Sequence, residues 1–488
     1  MDRGQSITLF LLLTITALTL AACGGSPVLT APVSTPVAPV ATLPPATPSP
    51  QPPTPTPAGT PTPTSLPTWT PAPTAVPGVL AVDAGQDLGP INPLVYGTNY
   101  GPWMPIRPET LPLAEQAGLT LLRYPGGEWG DANNLEPYQI DSFVALARKM
   151  GAEPYIHVRL PGGTPEQAVA LIRYANEDKG YDIRYWSIGN EPSIYQNRDD
   201  RKVWDTAYFN QKWREFAQAM KAADPSIVLI GPELHQWTGN PAVDPKDSTG
   251  RDWMREFLKA NGDLVDIVSF HRYPFPNNVD KTPASIADLR ANAAEWDSII
   301  PALRQAIREE TGRDLPVAVT EVNSHWSQSI SREATPDSFY NAIWWADVLG
   351  RLIRQKVDAV AHFDLASGGE SGFGMLAKYD ARPTYYVYPL YKMFGQELVY
   401  SSSSDSDVTV TGALRDDGKL TLMVVNLGPG EKSMPLQLAG FPPNGPAEIW
   451  RLDKDHKAEQ IEAETIFDGA ELVVPGQSVT LIVLAQDG

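Results

Sequence analysis

From about Val79 onward, short runs of β-branched and aromatic residues alternate with stretches of helical period, and this alternation restricts the fold more than any other feature. Eight runs read as strands: Leu94 to Gly97, Leu119 to Arg123, Glu153 to Arg159, Arg184 to Asn190, Ile227 to Gly231, Val265 to Phe270, Val317 to Glu321 and Ala359 to Phe363. Between them the apolar spacing predicts helices over Asp141 to Met150, Pro165 to Asn176, Trp204 to Ala223, Ser285 to Thr311 and Pro336 to Gln355. Strand and helix in strict succession imply parallel strands joined by crossover helices. Eight such units over roughly 300 residues match an α/β fold of the (β/α)8 TIM barrel type. An open doubly wound sheet competes with it, but no glycine-rich phosphate loop follows the first strand.

Past Lys392 the helical period stops. Alternating runs follow at Val408 to Leu414, Leu420 to Asn426, Pro446 to Arg451, Glu471 to Val474 and Ser478 to Leu484, with hairpin chemistry at Asp416-Asp417-Gly418 and Pro475-Gly476. The expected organisation is a barrel over 79–395 and an antiparallel β-sandwich over 396–488, with Val79 to Asp83 able to add a strand to the sandwich.

The N-terminal part cannot join either core. Arg3 precedes an apolar stretch, Ile7 to Leu20, and Leu20-Ala21-Ala22-Cys23 then resembles a bacterial lipobox. Residues 1–23 thus read as a lipoprotein signal peptide, with an ordinary signal peptide or an uncleaved anchor as the alternatives. Cys23 is the only cysteine, so its lipidation would leave the mature chain no thiol for disulfides, metal or catalysis. Residues 24–78 read as a linker: Ser26 to Pro77 contains 18 prolines in 52 residues and no charge, a composition that favours polyproline II over a packed core. The expected location is the extracytoplasmic surface of a bacterial cell, with the membrane as a partner through the lipid anchor. The formal charge of −19 disfavours nucleic acid and suits neutral substrates.

In a (β/α)8 barrel reactive groups gather at the carboxyl ends of the strands. Those ends read Asn99; Arg123; His157 and Arg159; Asn190 and Glu191; Glu233 and His235; His271 and Tyr273; Glu321 and His325; His362 and Asp364. Two acids on two strand ends, Glu191 and Glu321, are the pair that glycosidic bond cleavage requires, one protonated to serve the leaving oxygen and one ionised to face the sugar carbon. The strand-end acids repel, and Glu191 is expected to be pushed towards its neutral form while Arg123 and Tyr273 keep Glu321 ionised. Glu233 reads as a subsite residue or a solvated loop acid. Trp103, Trp129, Trp237 and Trp326 lie in strand-end loops that could stack on sugar. A metal site would want His-x-His on the first strand, where Tyr96-Gly97-Thr98-Asn99 stands instead, so neither a metal nor another cofactor is expected.

Ile188-Gly189-Asn190-Glu191-Pro192 resembles the strand-4 signature of clan A glycoside hydrolases. The resemblance implies that Glu191 is the general acid/base, Glu321 the nucleophile, Asn190 a contact to the sugar 2-hydroxyl, and His271-Arg272-Tyr273 the segment that orients the nucleophile. Within the clan, Leu122-Arg123-Tyr124-Pro125-Gly126-Gly127 and Tyr185 to Glu191 are similar to segments of family 51 arabinofuranosidases, as is the terminal Val474 to Leu481. Pro192 departs from that family, which usually has Met or Leu there, and families 39 and 44 share the barrel and the carboxylates. The resemblance therefore implies a retaining glycoside hydrolase acting on plant-type polysaccharides or oligosaccharides, arabinofuranosidase-like, with β-xylosidase or endo-glucanase and xyloglucanase activity as the alternatives. Arg123, His235, Glu233, Trp326 and His362 are the further candidates for binding substrate. The competing class is a non-catalytic carbohydrate-binding surface lipoprotein.

Overall fold

The computed structural model describes residues 77–197, 204–275, 284–326, 332–367 and 372–486. The expected signal peptide, Cys23 and the proline-rich segment up to residue 76 lie outside the described residues.

The first strand, β1 (Leu80–Pro90), belongs to the second sheet and is taken up below. The next eight, β2 (Gly97–Asn99), β3 (Leu121–Tyr124), β4 (Glu153–Val158), β5 (Tyr185–Ile188), β6 (Val228–Leu234), β7 (Ile267–Arg272), β8 (Val317–Val322) and β9 (Ala359–His362), are parallel neighbours in chain order and close where β2 meets β9. Alternation along each strand divides the core into two layers. Leu121, Tyr155, Ile230, Ile267, Ala318 and Ala359 plug the barrel interior with Leu94. Their neighbours Leu122, Ile156, Leu229, Val268, Val319 and Val360 point outward into the larger core under the helices.

The sequence reading placed the first barrel strand at Leu94 to Gly97, whereas Pro93–Val95 forms a 3-10 turn and the strand begins at Gly97. Local chemistry explains the shift: the Asn92 side chain accepts from the Leu94 N–H, and Pro93 pre-sets the helical φ. The five expected helices form, with Ser285–Thr311 divided into Ile286–Asn292, a short 3-10 turn and Trp296–Thr311. Their caps are readable: Thr164 and Gln167 make a capping box, and Gly312 at φ +66 ends its helix in the left-handed conformation.

The second sheet has nine strands in the order β15-β14-β17-β12-β11-β10-β1-β13-β16. They are β10 (Glu397–Ser403), β11 (Val408–Leu414), β12 (Leu420–Asn426), β13 (Lys432–Ala439), β14 (Ala447–Leu452), β15 (Lys457–Glu464), β16 (Glu471–Val474) and β17 (Ser478–Leu484), with β1 between β10 and β13. The sheet curls so that Leu80, Val410, Leu422, Leu436, Ile449 and Ile482 share one core, the expected sandwich. Three strands escape the sequence reading, β10, β13 and β15. In β15, Lys-Ala-Glu-Gln-Ile-Glu-Ala-Glu buries no side chain, so an edge strand without an apolar face leaves no periodic signal.

The outer face of this sheet, with Met423, Val425, Leu481 and Val483, packs on helix Phe339–Arg354, which is buried nearly all round. Such a helix must satisfy its polar groups internally. Asp347 accepts from Thr409 Oγ1 at 2.5 Å and from Arg351 Nε at 2.7 Å, and Arg351 also pairs with Asp297. Asp347→Ala leaves the buried Arg351 guanidinium with Asp297 as its one remaining carboxylate and Thr409 without its acceptor, and it should lower unfolding stability by about 3 kcal/mol. Urea denaturation of the full chain measures this, and a midpoint equal to the parent's would show that the pair does not join the two layers.

Candidate active site

Alternation alone brings four strand-end side chains inward. With Leu121, Ile267 and Ala359 inside, the positions two and four further on are Arg123 on β3, Ser269 and His271 on β7, and Ala361 on β9. Tyr273 continues the β7 series. Two acids need more than alternation. On β8 the register slips between Phe270/His271 and Val319/Glu321, so an extra residue lets both Thr320 and Glu321 serve the interior. On β6 a like slip between Gly231 and Leu234, with Glu233 at φ +60, turns that carboxylate inward. Glu191 follows β5 at φ +52, and its N–H donates to the Glu233 carbonyl at 2.9 Å. A left-handed φ at an ordinary residue costs about 1–2 kcal/mol. The two strained turns hold each other.

Arg123 is completely buried and organises the floor of the site. Its Nη1 donates to Glu321 Oε1 at 2.7 Å and to Asn99 Oδ1 at 2.9 Å; its Nη2 donates to Asn190 Oδ1 at 2.8 Å and meets Glu233 Oε2 at 2.9 Å. Glu321 also accepts from the Gly127 N–H at 3.1 Å and from Tyr273 OH at 2.8 Å. Gly127 sits at φ +70, which a side chain would strain, and this turn aims its N–H at the carboxylate. Asn190 is fixed from behind, its N–H donating to Asp131 Oδ2 at 3.0 Å.

His271 lies between three acids: Nδ1 is 3.0 Å from Glu191 Oε1 and 3.6 Å from Glu321 Oε2, and Nε2 is 2.9 Å from Glu233 Oε2. Glu233 further accepts from Tyr155 OH at 2.5 Å, Ser269 Oγ at 3.0 Å and Thr320 Oγ1 at 2.8 Å. Burial by itself would favour a neutral Glu233, but Arg123, His271 and these hydroxyls outweigh it and hold the carboxyl far below the ordinary range. Burial would likewise lower His271, yet the charge of Glu321 and the bonds to Glu191 and Glu233 push it up to about 9. His157, also buried near Arg123, drops to about 3 and stays neutral.

Donor atoms of Glu191, His271 and Glu321 lie within 4.8 Å of one another, the spacing of a metal-ligand triplet. The fit to a cation is poor. Glu321 already accepts on both oxygens and His271 is engaged by a carboxylate on each nitrogen.

The structure assembles Glu191, Glu321, Asn190, Arg123, His271 and Tyr273 as one cluster. His235 joins its rim, with Nδ1 2.7 Å from Ser193 Oγ. Glu233 is neither a subsite residue nor a solvated loop acid: it is 0% exposed beneath His271. The inward turn at the β6 slip takes it below the cleft floor. His362 is brought elsewhere. Ala359 and Ala361 take the inward positions of β9, so the His362 ring faces the helices and packs on Trp345 at 5.0 Å, while its backbone carbonyl accepts from Asn99 Nδ2. Trp326 is half exposed after β8, and among the described residues no ring or hydrogen-bond contact ties it to the carboxylates. The expectation that Glu191 is pushed towards its neutral form is reversed: burial does act that way, but the His271 bond and charge prevail and lower it.

Tyr155, Ser269 and Thr320 were not singled out in the sequence, and Gly127 stood there only as the end of the Arg-Tyr-Pro-Gly-Gly run. Ser269 had a signal, since it lies two residues before His271 on the same face. Thr320 had none, because strict alternation with Glu321 inward would have turned it away.

Eight parallel strands with two acids converging from β5 and β8 define the class, a (β/α)8 barrel of the clan A glycoside hydrolase kind. Residues 173–426, just over half of the chain, match glycosyl hydrolases family 39, and the chain belongs to that family. Among curated relatives, an intracellular exo-α-(1→5)-L-arabinofuranosidase of Streptomyces lividans is 25% identical over 233 residues, 38% of this chain and 33% of that protein. The chain thus spans about a third of the length of that relative. Among solved structures, a bifunctional glucanase-xylanase from a metagenome library superposes with a TM-score of 0.67 at 19% identity, covering 84% of this chain and 99% of that one. An α-L-arabinofuranosidase from Thermotoga maritima gives 0.66 at 19% identity, with 83% and 99% covered. At such identities the structures attest the fold.

His271 carries a pH consequence. Its value in the folded chain, about 9, lies above the ordinary 6.5, so the stability it contributes is whole below pH 6.5 and is lost as pH rises through 9. Urea midpoints should fall across that window and His271→Gln should flatten the fall; midpoints that rise there would rule out the buried imidazolium.

Proposed function

We propose that this protein is a retaining glycoside hydrolase acting on plant-type polysaccharides or their oligosaccharides, with Glu321 as nucleophile and Glu191 as acid/base. One observation carries the reading: a carboxylate oxygen of Glu191 lies within 4.8 Å of one of Glu321. Carboxyl groups about 5–5.5 Å apart act with retention, whereas inversion needs about 6.5–9.5 Å to admit a water between acid and base. Glu321 is 4% exposed and held by Arg123, Tyr273 and the Gly127 N–H, contacts that aim it as a nucleophile. Glu191 is 21% exposed, open enough to meet a leaving oxygen.

In the first half-reaction Glu321 bonds to the anomeric carbon as the glycosidic bond breaks and Glu191 gives its proton to the departing oxygen. In the second, Glu191 takes a proton from the water that displaces Glu321. Asn190, whose oxygen is committed to Arg123, offers its amide nitrogen to a sugar hydroxyl. The relatives named as arabinofuranosidases favour arabinofuranosides, and the glucanase-xylanase neighbour keeps xylosides and glucans as the second reading. A purely binding role fits poorly, because a binder has no use for three acids forced together in a buried site.

The lipobox-like Leu20-Ala21-Ala22-Cys23 supports a lipid anchor on the outer face of a bacterial membrane.

Aryl arabinofuranoside, xyloside, glucoside and cellotrioside substrates test the activity. Glu191→Ala should lose about 10²–10⁴-fold with poor leaving groups. Glu321→Ala should be inactive and, with azide, yield the inverted glycosyl azide; unchanged turnover in either variant overturns the assignment. Cys23→Ala should move the protein from the membrane pellet to the soluble fraction, and equal partitioning of both forms would remove the anchor.

A further inference from the structure

Glu233 has no place in the two-carboxylate reaction, yet it is the most heavily bonded acid at the site. Five donor groups reach it, Tyr155 OH, Ser269 Oγ, Thr320 Oγ1, Arg123 Nη2 and His271 Nε2. A carboxylate so surrounded only accepts, and Nε2 must therefore carry a hydrogen. That fixes one end of the imidazole. At the other end Nδ1 faces Glu191 at 3.0 Å, and a single proton is shared between those two atoms.

The groups packed around His271 decide where that proton rests. Glu191 approaches from the end of β5, Glu233 from β6 and Glu321 from β8, while Arg123 from β3 is the one permanent cation among them. Tyr155, Tyr273, His157 and His235 are the other titratable neighbours. Burial keeps both tyrosines protonated and both histidines uncharged near neutral pH. With one proton to place, the net charge of these groups is −1 whether it rests on Nδ1 or on Glu191, so position decides: on the ring the positive charge lies 3.0 Å from Glu191, 2.9 Å from Glu233 and 3.6 Å from Glu321, and in a buried site that attraction favours the imidazolium over a neutral ring beside a protonated Glu191.

We infer that the resting site stores the acid catalyst's proton on His271 Nδ1, and that Glu233 is a positioning residue that fixes the ring and holds the proton there until the leaving group calls for it. The inference rests on the acid/base reading of Glu191. When Glu321 bonds to the anomeric carbon its negative charge is consumed, and part of what stabilised the imidazolium disappears. The Nδ1 proton then passes to the Glu191 carboxylate and from it to the leaving oxygen. The glycosidic electron pair stays on the departing oxygen, which takes the proton, and His271 is left neutral with its Nε2–H on Glu233. In the second half-reaction the attacking water loses its proton to Glu191 and thence to Nδ1, and Glu321 leaves as a carboxylate. Protons and charge balance over the cycle.

Histidine ring 15N spectra of the full labelled chain test this without reference to turnover, with His271 assigned by its disappearance in His271→Gln. At pH 7 both ring nitrogens of His271 should show the protonated form, and that form should persist to about pH 9. Glu233→Gln should lower the titration by a pH unit or more. It should move the basic limb of kcat/KM down with it, and reduce turnover of phenyl glycosides at least tenfold more than that of dinitrophenyl glycosides, which need little acid assistance. A loss equal for both leaving groups marks a merely structural residue and overturns the inference, as does a neutral His271 in the parent. Should Glu233→Gln fail to fold, Glu191→Gln, at a partly exposed position, must also lower the His271 titration, and an unmoved titration overturns the proton store. A chain that turns over no glycoside but shows the shifted His271 titration would instead overturn the activity proposed above and leave the proton store standing.

Discussion

Arg123 places a permanent charge where no water reaches it, at the centre of eight strand ends, and a buried guanidinium is tolerable only when carboxylates and carbonyl oxygens surround it. Four acceptors do so here: Glu321, Glu233, Asn99 and Asn190, drawn from β8, β6, β2 and the turn after β5. Because each is held within hydrogen-bonding distance of one rigid planar group, that group sets their relative positions. Catalytic geometry and charge compensation are thus the same set of contacts.

His271 performs the complementary task on the other side of the acids. Arg123 offsets charge permanently, while an imidazole can release its share, and the site combines both. The barrel supplies this arrangement at the cost of local strain. The turns at Glu191 and Glu233 both lie at positive φ, and one donates its N–H to the carbonyl of the other. The surrounding strands over-determine those turns, which is how a strained acid can be kept at a reactive position.

The second sheet contributes by confining the barrel. Helix Phe339–Arg354 lies between β9, where Trp345 packs on His362, and β11, β12 and β17, and its Asp347 and Arg351 are paired inside that layer. β1, which precedes the barrel in the chain, is built into the middle of this sheet.

The sequence by itself determined which residues are strand ends, because β-branched runs, helical periods and breakers are short-range properties of the chain. From these follow the barrel, the pair Glu191 and Glu321, and the inward faces of β3 and β7, since period-two alternation needs no partner strand to be read. Only the tertiary structure decided the rest. The slips on β6 and β8 depend on how neighbouring strands pair, and they send Glu233, which the sequence marks only as a strand-end acid, beneath His271 and let Thr320 and Glu321 share an interior. Protonation was likewise beyond the sequence: whether Glu191 or His271 keeps the proton is a sum over charges from β3, β5, β6 and β8 in a water-poor interior, and such a sum exists only once those strands have closed.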